Sequence, residues 1–354
     1  MLNLGKAILA GGTVLAFTAG AFAQTTSLRI QTHYAPETPS GKLLTEWAEN
    51  VEKMSNGEID IEMFYSSSVV KSVETFDAAA TGILDCDATG GGYQTGKNSA
   101  FQFVADIMGG YATPAQQLSW FYYGGGFEAA QKLYNQYGME PVGFIIYGQE
   151  SFASSKPITK MDDFKDWKFR SPPGMETKIF EKIGAKPIVM DFTEIFTALE
   201  SGIIDGADAS GLANNVGLGL YDIVKYANYP GFHSMPTDHI ACNKDVFDGL
   251  PDHHKTIMKV AAGDISLKSI LTFEKKNEEA KAALEAAGVT ISQWSPEELQ
   301  KFREVAQSVW PEFADTPEAQ ELLENHYGYL KTLGIVKDEG GESMEKEGME
   351  KKAE

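Results

Sequence analysis

The residue in this sequence best suited to bind an anion is Arg170, which ends the segment Trp167–Arg170. Trp167 and Phe169 alternate with charged residues there, as in a strand with one buried face. A guanidinium at the end of such a strand offers a planar pair of donors that matches a carboxylate. The other interpretation is a surface Arg paired with one of the chain's many acids, and position alone leaves both open.

Asp208 lies where another predicted strand, which begins with Ile203–Asp205, comes to its end. Its carboxylate has two candidate roles. It can form a salt bridge with Arg170, or it can hold a cation that bridges to a ligand. The residues alone favour the salt bridge.

His233, Asp238 and His239 are the residues whose types suggest a metal site. Their spacing is not that of a histidine pair on a helix, and no fourth ligand is evident. Asp238 and His239 would point to opposite faces of a strand. Packing in the core or in a loop is therefore favoured. Cys86 and Cys242 form no metal or redox motif, and sequence alone leaves their pairing open.

The N-terminus is typical of a secretory signal peptide spanning residues 1–23. Lys6 precedes a mostly apolar run that ends in Ala21-Phe22-Ala23, an A-x-A cleavage pattern followed by Gln24. No later run is long enough to span a membrane. We therefore predict an exported protein without direct membrane insertion.

Size and charge limit the function classes. Removing residues 1–23 from the 354 leaves 331, which suggests two domains of ordinary size. The formal net charge is -20, which argues against nucleic acid or an anionic membrane surface as a partner. The charged end, residues 340–354, has no apolar periodicity and is predicted to be a disordered tail.

One phrase occurs twice, 120 positions apart: ETFDAAATGILDCDATGG at 74–91 and EIFTALESGIIDGADASG at 194–211. Each copy closes a predicted β-α-β-α-β unit, so each unit should build its own parallel sheet. The repeated Asp85 and Asp205 suggest a shared structural task, such as accepting hydrogen bonds where an element ends.

Two such units joined by crossing strands predict an α/β fold of the periplasmic-binding-protein type, with two lobes around a cleft and long C-terminal helices. We predict lobe 1 from residues 24–149 plus about 232–262, and lobe 2 with the spanning helices from 150–231 plus about 263–335. Ligands bind beyond the carboxyl ends of parallel strands. That rule places His33, Tyr93, Arg170 and Asp208 at the cleft, and the crossing segments add Gln149 and Phe232.

The run DWKFRSPPGMETKIFEKIGAKPIVMDFTEIFTALESGIIDGADAS resembles the signature stretch of the substrate-binding proteins of tripartite ATP-independent periplasmic (TRAP) transporters. NGEIDIEMF and ATGILDCDATGGGY in the first unit fit the same family. The likeness runs from about Leu28 to Pro311. It implies a receptor, with no enzymatic activity, that delivers a small organic acid to membrane subunits of the transporter. It leaves a homodimer open.

The runs QLSWFYYGGG, NYPGF and CNKDVFDGLP resemble the branch that binds 2-oxo acids and related small monocarboxylates. The resemblance implies that Arg170 pairs with the ligand carboxylate and that Gln149 contacts ligand and cation. The positions matching the branch's metal-binding pair are Asp208 and Ala209, where the family has Glu and Trp. Ser234 stands where the family has a second acid. These departures leave open a bound calcium or sodium ion, and a 2-oxo acid, a hydroxy acid or a small sulfonate as ligand.

The resemblance thus predicts that Tyr93, His33 and Phe232 line the walls of a cleft that closes around the anion. The alternative from another class is an exported metal-assisted hydrolase or lyase that acts on a small organic acid through His233, Asp238 and His239. The lack of a nucleophile with its base and orienting group weighs against that enzyme.

Overall fold

The computed structural model describes residues 25–336, so the predicted signal peptide and the predicted tail lie outside the described residues. The strands are β1 (Thr26–Thr32), β2 (Ile59–Phe64), β3 (Cys86–Ala88), β4 (Met139–Ile146), β5 (Ser151–Ser154), β6 (Lys168–Ser171), β7 (Lys186–Val189), β8 (Gly206–Ser210), β9 (Tyr226–Asn228), β10 (Thr237–Asn243) and β11 (Thr290–Ser292).

The α-helices alternate with these strands and dominate the last third of the described chain. They are α1 (Pro39–Met54), α2 (Thr75–Ala80), α3 (Ala100–Ala105), α4 (Pro114–Tyr123), α5 (Gly126–Asn135), α6 (Met175–Lys182), α7 (Ile195–Glu200), α8 (Leu212–Gly217), α9 (Leu220–Ile223), α10 (Lys244–Gly249), α11 (Asp252–Ala286), α12 (Pro296–Gln307), α13 (Trp310–Phe313) and α14 (Pro317–Thr332).

The strands form two sheets, which confirms the predicted α/β fold with two lobes. In both sheets, counted from the edge at β2 or at β7, the second, first and third strands of the repeat unit come first, followed by a crossing strand. Sheet 1 runs β2-β1-β3-β10-β4, and sheet 2 runs β11-β9-β5-β8-β6-β7. In sheet 1 the repeat unit supplies the parallel strands β1, β2 and β3, and in sheet 2 it supplies β6, β7 and β8. We call the parts built around these sheets lobe 1 and lobe 2; the residue boundaries given above remain a prediction.

The third strand of each unit begins three residues after Ile83 and Ile203, the positions where the sequence predicts its start. Gly82 and Gly202 both take positive φ, +84° and +71°, as expected for a glycine that ends a helix. Ile83 and Ile203 then donate their amides back to the carbonyls of Ala78 and Ala198. These residues finish the helix, so β3 and β8 start only after the shared Asp.

The shared acids, Asp85 and Asp205, perform the same task in both lobes. Asp85 accepts a hydrogen bond from the backbone amide of Arg29, and Asp205 accepts one from that of Lys168. Each acid also donates its own amide to the carbonyl of the same partner. The repeated Asp therefore ties the start of the third strand to the first strand of its unit, away from the cleft.

Each sheet also takes one antiparallel strand from the segments that cross between the lobes. β10 lies between β3 and β4, and β5 lies between β8 and β9. Cys86 on β3 and Cys242 on β10 are register partners, and a disulfide joins them. Their pairing, which the sequence left open, thus fixes a crossing strand to lobe 1.

The long helix α11 contacts both lobes. The indole of Trp47 on α1 donates to the carbonyl of Met258, and Asn277 accepts from the amide of Ala213 on α8. α11 is one of the long C-terminal helices that the sequence predicts. Among residues 25–336, no helix is long and apolar enough to cross a bilayer.

Candidate functional site

A cavity that is partly open to solvent lies between the lobes where the parallel strands of both sheets end. This edge is where α/β sheets bind ligands. The lining residues are His33, Tyr34, Gly90, Gly92, Tyr93, Gln102, Ala105, Asp106, Met108, Glu150, Arg170, Pro172, Pro173, Glu176, Phe192, Ala209, Pro236, Thr237 and Asp238.

Arg170, on β6, faces this cavity and is 2% exposed. Its Nη1 donates to the carbonyl oxygen of Asp208 at 2.8 Å, and its Nε lies 3.4 Å from that of Met190. Nη2 is buried and has no hydrogen-bond partner among the described residues. The guanidinium carbon lies 5.7 Å from the centre of the Phe192 ring. The geometry therefore holds the guanidinium by backbone carbonyls and leaves one donor free for an anion.

Three buried carboxyl groups lie together beside Arg170. Glu150 precedes β5, Glu176 is in the first turn of α6, and Asp208 is on β8. One oxygen from each lies within 4.8 Å of the others. Ser171 Oγ donates to Glu176 at 3.0 Å, whereas no donor group of the described residues reaches either oxygen of Asp208. The carboxyl of Glu150 is close enough to Asp208 to share a proton with it. Two oxygens bound to one calcium lie at most about 5 Å apart, so this cluster fits a single cation.

Burial governs the electrostatics of the cluster. It raises the pKa of Glu150 and raises those of Glu176 and Asp208 well above their usual range, and the Glu150 charge raises the latter two further. Arg170 opposes all three shifts but carries only one positive charge. Three ionised carboxylates without more positive charge would be costly to bury. The cluster therefore calls for protons or a cation.

A fourth acid, Asp106, meets the cluster through Ser234. The hydroxyl of Ser234 lies 2.7 Å from Asp106 Oδ2 and is also within hydrogen-bond distance of Glu150 Oε2. One hydroxyl proton cannot serve both carboxylates, so the second contact needs a proton on one of them. Burial, followed by the Glu150 charge, raises the pKa of Asp106 to about 7.

Four of the predicted site residues other than Arg170 lie at or beside the cleft. His33, Tyr93 and Ala209 line it, and Asp208 lies directly behind, as part of the carboxyl cluster. His33 stacks on Phe192 with ring centres 4.5 Å apart, and its Nε2 lies 3.4 Å from Asp238. The salt bridge favoured above for Asp208 is absent, because Arg170 contacts its backbone carbonyl and not its carboxylate.

Gln149 and Phe232 were expected in the cleft, and the structure places both elsewhere. Gln149 donates its side-chain amide to the carbonyl of Ala112 at 2.8 Å, on a separate groove. Phe232 is fully buried and stacks on Phe152 with ring centres 4.5 Å apart, in the aromatic core. The chain turns at Gln149, so Glu150, one position later, is the residue that faces the cavity.

The sequence reasoning missed Glu150, Glu176 and Asp106. A signal existed for two of them. Glu150 directly precedes a strand in a crossing segment, and Glu176 is in the first turn of the helix that follows Arg170. Asp106 carried no signal, because it reaches the cluster only through Ser234, 128 positions away.

The residues proposed for the alternative enzyme do not converge. His239 contacts Asp87 through Nε2 and Tyr134 through Nδ1, each at 2.8 Å, within the core of lobe 1. Asp238 faces His33. Burial, with the Arg303 charge, lowers the pKa of His233 to about 4. Within residues 25–336, they form no ligand cluster with one another.

The fold has two lobes linked by crossing strands, and the guanidinium of Arg170 faces the cavity between them with Nη2 unpartnered among the described residues. These features define the class as a two-lobed solute-binding protein. Comparison with known proteins specifies the family. Residues 30–316 match the model of bacterial extracellular solute-binding protein family 7, and the chain belongs to that family. It is a receptor of this class, not an enzyme.

Relatives agree with this assignment. A periplasmic protein of Nostoc sp., named for binding monocarboxylate 2-oxoacids, is 29% identical over 290 residues, which are 81% of this chain and 79% of the relative. An apo, open TRAP solute-binding protein from Rhodobacter sphaeroides is 33% identical, with a TM-score of 0.69 over 87% of this chain and 99% of that one.

Two ligand-bound TRAP solute-binding proteins share the fold. One from Bordetella bronchiseptica, a mixed-occupancy dimer with calcium and picolinate, is 22% identical, with a TM-score of 0.82 over 93% of this chain and 99% of that one. One from Pseudoalteromonas atlantica, with sodium and pyruvate, is 24% identical, with a TM-score of 0.77 over 91% of this chain and 99% of that one.

Proposed function

We propose that this protein is the periplasmic receptor of a TRAP transporter and captures a small organic anion, such as a 2-oxo acid, a hydroxy acid or a small sulfonate. Arg170 neutralises the anion through its free Nη2. His33, Tyr93 and Ala209 form the walls around the rest of the ligand. The two lobes close over it by a hinge motion, because the ligand contacts both.

The observation that carries the proposal is the buried, unpartnered Nη2 of Arg170. A buried cationic donor without a partner is unfavourable, and an anion that accepts from it removes that cost. The names of the Nostoc relative and of the two ligand-bound neighbours point to the same chemistry, since oxoacids, picolinate and pyruvate are all small carboxylates.

A calcium or sodium ion belongs to this proposal. Glu150, Glu176 and Asp208 would hold it, in place of the Gln149, Asp208 and Ala209 set that the family pattern suggested. The two unpartnered oxygens of Asp208 support this assignment. The ion would supply positive charge beside Arg170, so that an anion can enter a pocket lined by acids.

The location and partners follow from the family. We infer export with cleavage after Ala23, delivery of the ligand to the membrane subunits of the transporter, and a homodimer as one candidate state in solution. Relatives are periplasmic proteins, and one neighbour is a dimer. An intact mass of the exported protein that still includes Met1 would contradict the export step.

Replacing Arg170 tests the function directly. We expect Arg170→Lys to weaken binding of the best ligand about a hundredfold, because a charge-assisted hydrogen bond in a buried site is worth about 3 kcal/mol. The ligand would come from a thermal-shift screen of 2-oxo acids, hydroxy acids and sulfonates in calcium and in sodium. Titration calorimetry would then give the affinity.

Lys168→Ala is the matched control, because Lys168 is on the same strand with its side chain exposed. It should leave both affinity and stability unchanged. Wild-type affinity in Arg170→Lys, with the fold intact by circular dichroism, would show that the anion does not bind at this guanidinium.

A further inference from the structure

We propose that Glu176 makes the cation site of this receptor selective for a divalent ion, calcium over sodium, and that the ion loads before the organic anion. This inference rests on the proposed function for the anion, and it concerns the charge of the ion and the order of binding.

The order of binding follows from where the three carboxylates lie. Glu150 directly precedes β5, Glu176 is on α6 and Asp208 is on β8, so all three belong to lobe 2. No carboxylate has to arrive from lobe 1. The cluster therefore exists whether the cleft is open or closed, and a cation can bind to the ligand-free protein.

The charge of the ion follows from the number of acids. The three carboxylates and Asp106 together carry three negative charges, because the contact of Ser234 with both Asp106 and Glu150 needs a proton on one of these two acids. Arg170 contributes one positive charge within the same buried region. A monovalent ion leaves one of these charges uncompensated even before the anion enters, whereas a divalent ion compensates all of them. Burying uncompensated charge is strongly unfavourable, so the divalent ion is preferred.

Glu176 is the residue on which that preference depends. It lines the cavity, is held by Ser171 at 3.0 Å, and adds the third negative charge to those of Glu150 and Asp208. Without it, two carboxylates and Arg170 require only one more positive charge, which sodium provides. The carboxylate oxygens suit calcium, a hard cation that takes oxygen ligands.

The test is calorimetric titration of CaCl2 and of NaCl into chelator-stripped full-length protein with no organic acid present. We expect one calcium per chain, a rise in Tm, and no comparable response to sodium. Glu176→Gln should weaken calcium binding roughly 10- to 100-fold while retaining the shape of the side chain. Glu181→Gln, on the exposed side of the same helix, is the matched control and should bind calcium like the wild type.

Three outcomes would overturn the inference. The first is calcium binding only when an organic acid is already present, and the second is equal calcium affinity in Glu176→Gln and wild type. The third is tight binding of an amino acid to the stripped protein, because the ammonium group of that ligand would then supply the positive charge. Each leaves the anion receptor intact. By contrast, calcium binding with no response to any organic anion would refute the proposed function and not the cation site.

Discussion

At the scale of single residues, the molecule uses buried polar groups in two opposite ways. At the cleft, no acceptor is bound to Arg170 Nη2 and no donor group is bound to the Asp208 carboxyl among the described residues, which suits groups that await a ligand. In the core, His326 is fully satisfied: Nε2 donates to the carbonyl of Phe103 and Nδ1 accepts from the hydroxyl of Tyr111 at 2.9 Å. These two bonds fix His326 in its neutral form.

His326 should therefore make stability depend on pH. Burial lowers its pKa to about 4 from an ordinary value of 6.5. Between these values the unfolded chain binds the proton more readily, so the stabilisation is complete above pH 6.5 and is lost as the pH falls towards about 4. The loss is of order 3 kcal/mol. Urea unfolding of His326→Gln at pH 7.5 and 4.5 should show a smaller difference than the wild type.

His253→Gln provides the control for this experiment, because that histidine is exposed. It should keep the pH dependence of the wild type. If His326→Gln also keeps it, acid destabilisation arises at other groups.

At the scale of elements, a disulfide joins β3 to β10 covalently in lobe 1. Its two cysteines are 156 positions apart, so it closes a long segment of the unfolded chain. Closing such a segment stabilises the fold by roughly 2–5 kcal/mol. We expect the double variant Cys86→Ala with Cys242→Ala to lose that much in urea unfolding, and reduced wild type to behave like it.

Cys86→Ala alone distinguishes the disulfide from packing, since it removes the bond but leaves Cys242. It should be destabilised nearly as much as the double variant. Equal stability of oxidised and reduced wild type would mean that the bond contributes nothing to the fold.

The elements also show what the sequence could predict. Local rules of backbone conformation predict the two helix ends at Gly82 and Gly202. Hydrophobic periodicity predicts the repeated unit and the strand that carries Arg170. The direction of Gln149 and Glu150 does not, because a turn before β5 decides which of two neighbours faces the cleft. The same holds for Phe232, whose place in the core depends on Phe152, 80 positions away.

At the scale of the whole molecule, the lobes are closed in this structure. Asp191 of lobe 2 accepts hydrogen bonds from the amide and hydroxyl of Ser72 of lobe 1, at 2.9 and 3.0 Å. The amide of Met175 donates to Gln102 across the cleft at 2.9 Å.

Ser72→Ala should weaken ligand binding about fivefold without touching the ligand. It removes a contact with Ser67 within lobe 1, which open and closed forms share, and one hydrogen bond to Asp191, worth about 1 kcal/mol, that only the closed form makes. Calorimetry would give the affinity, and the radius of gyration from small-angle scattering would show a larger open fraction. Ser201→Ala, whose hydroxyl contacts only its own helix, is the control. Unchanged affinity in Ser72→Ala would mean that this contact does not limit closure.

The late position of β10 in the chain has a consequence for folding during synthesis. Sheet 1 lacks the strand between β3 and β4 until β10 has been made, and β10 ends at Asn243. By then the parallel strands β6, β7 and β8 of the other sheet are already complete. The facing edges of β3 and β4 therefore stay unpaired until about two thirds of the chain has been made.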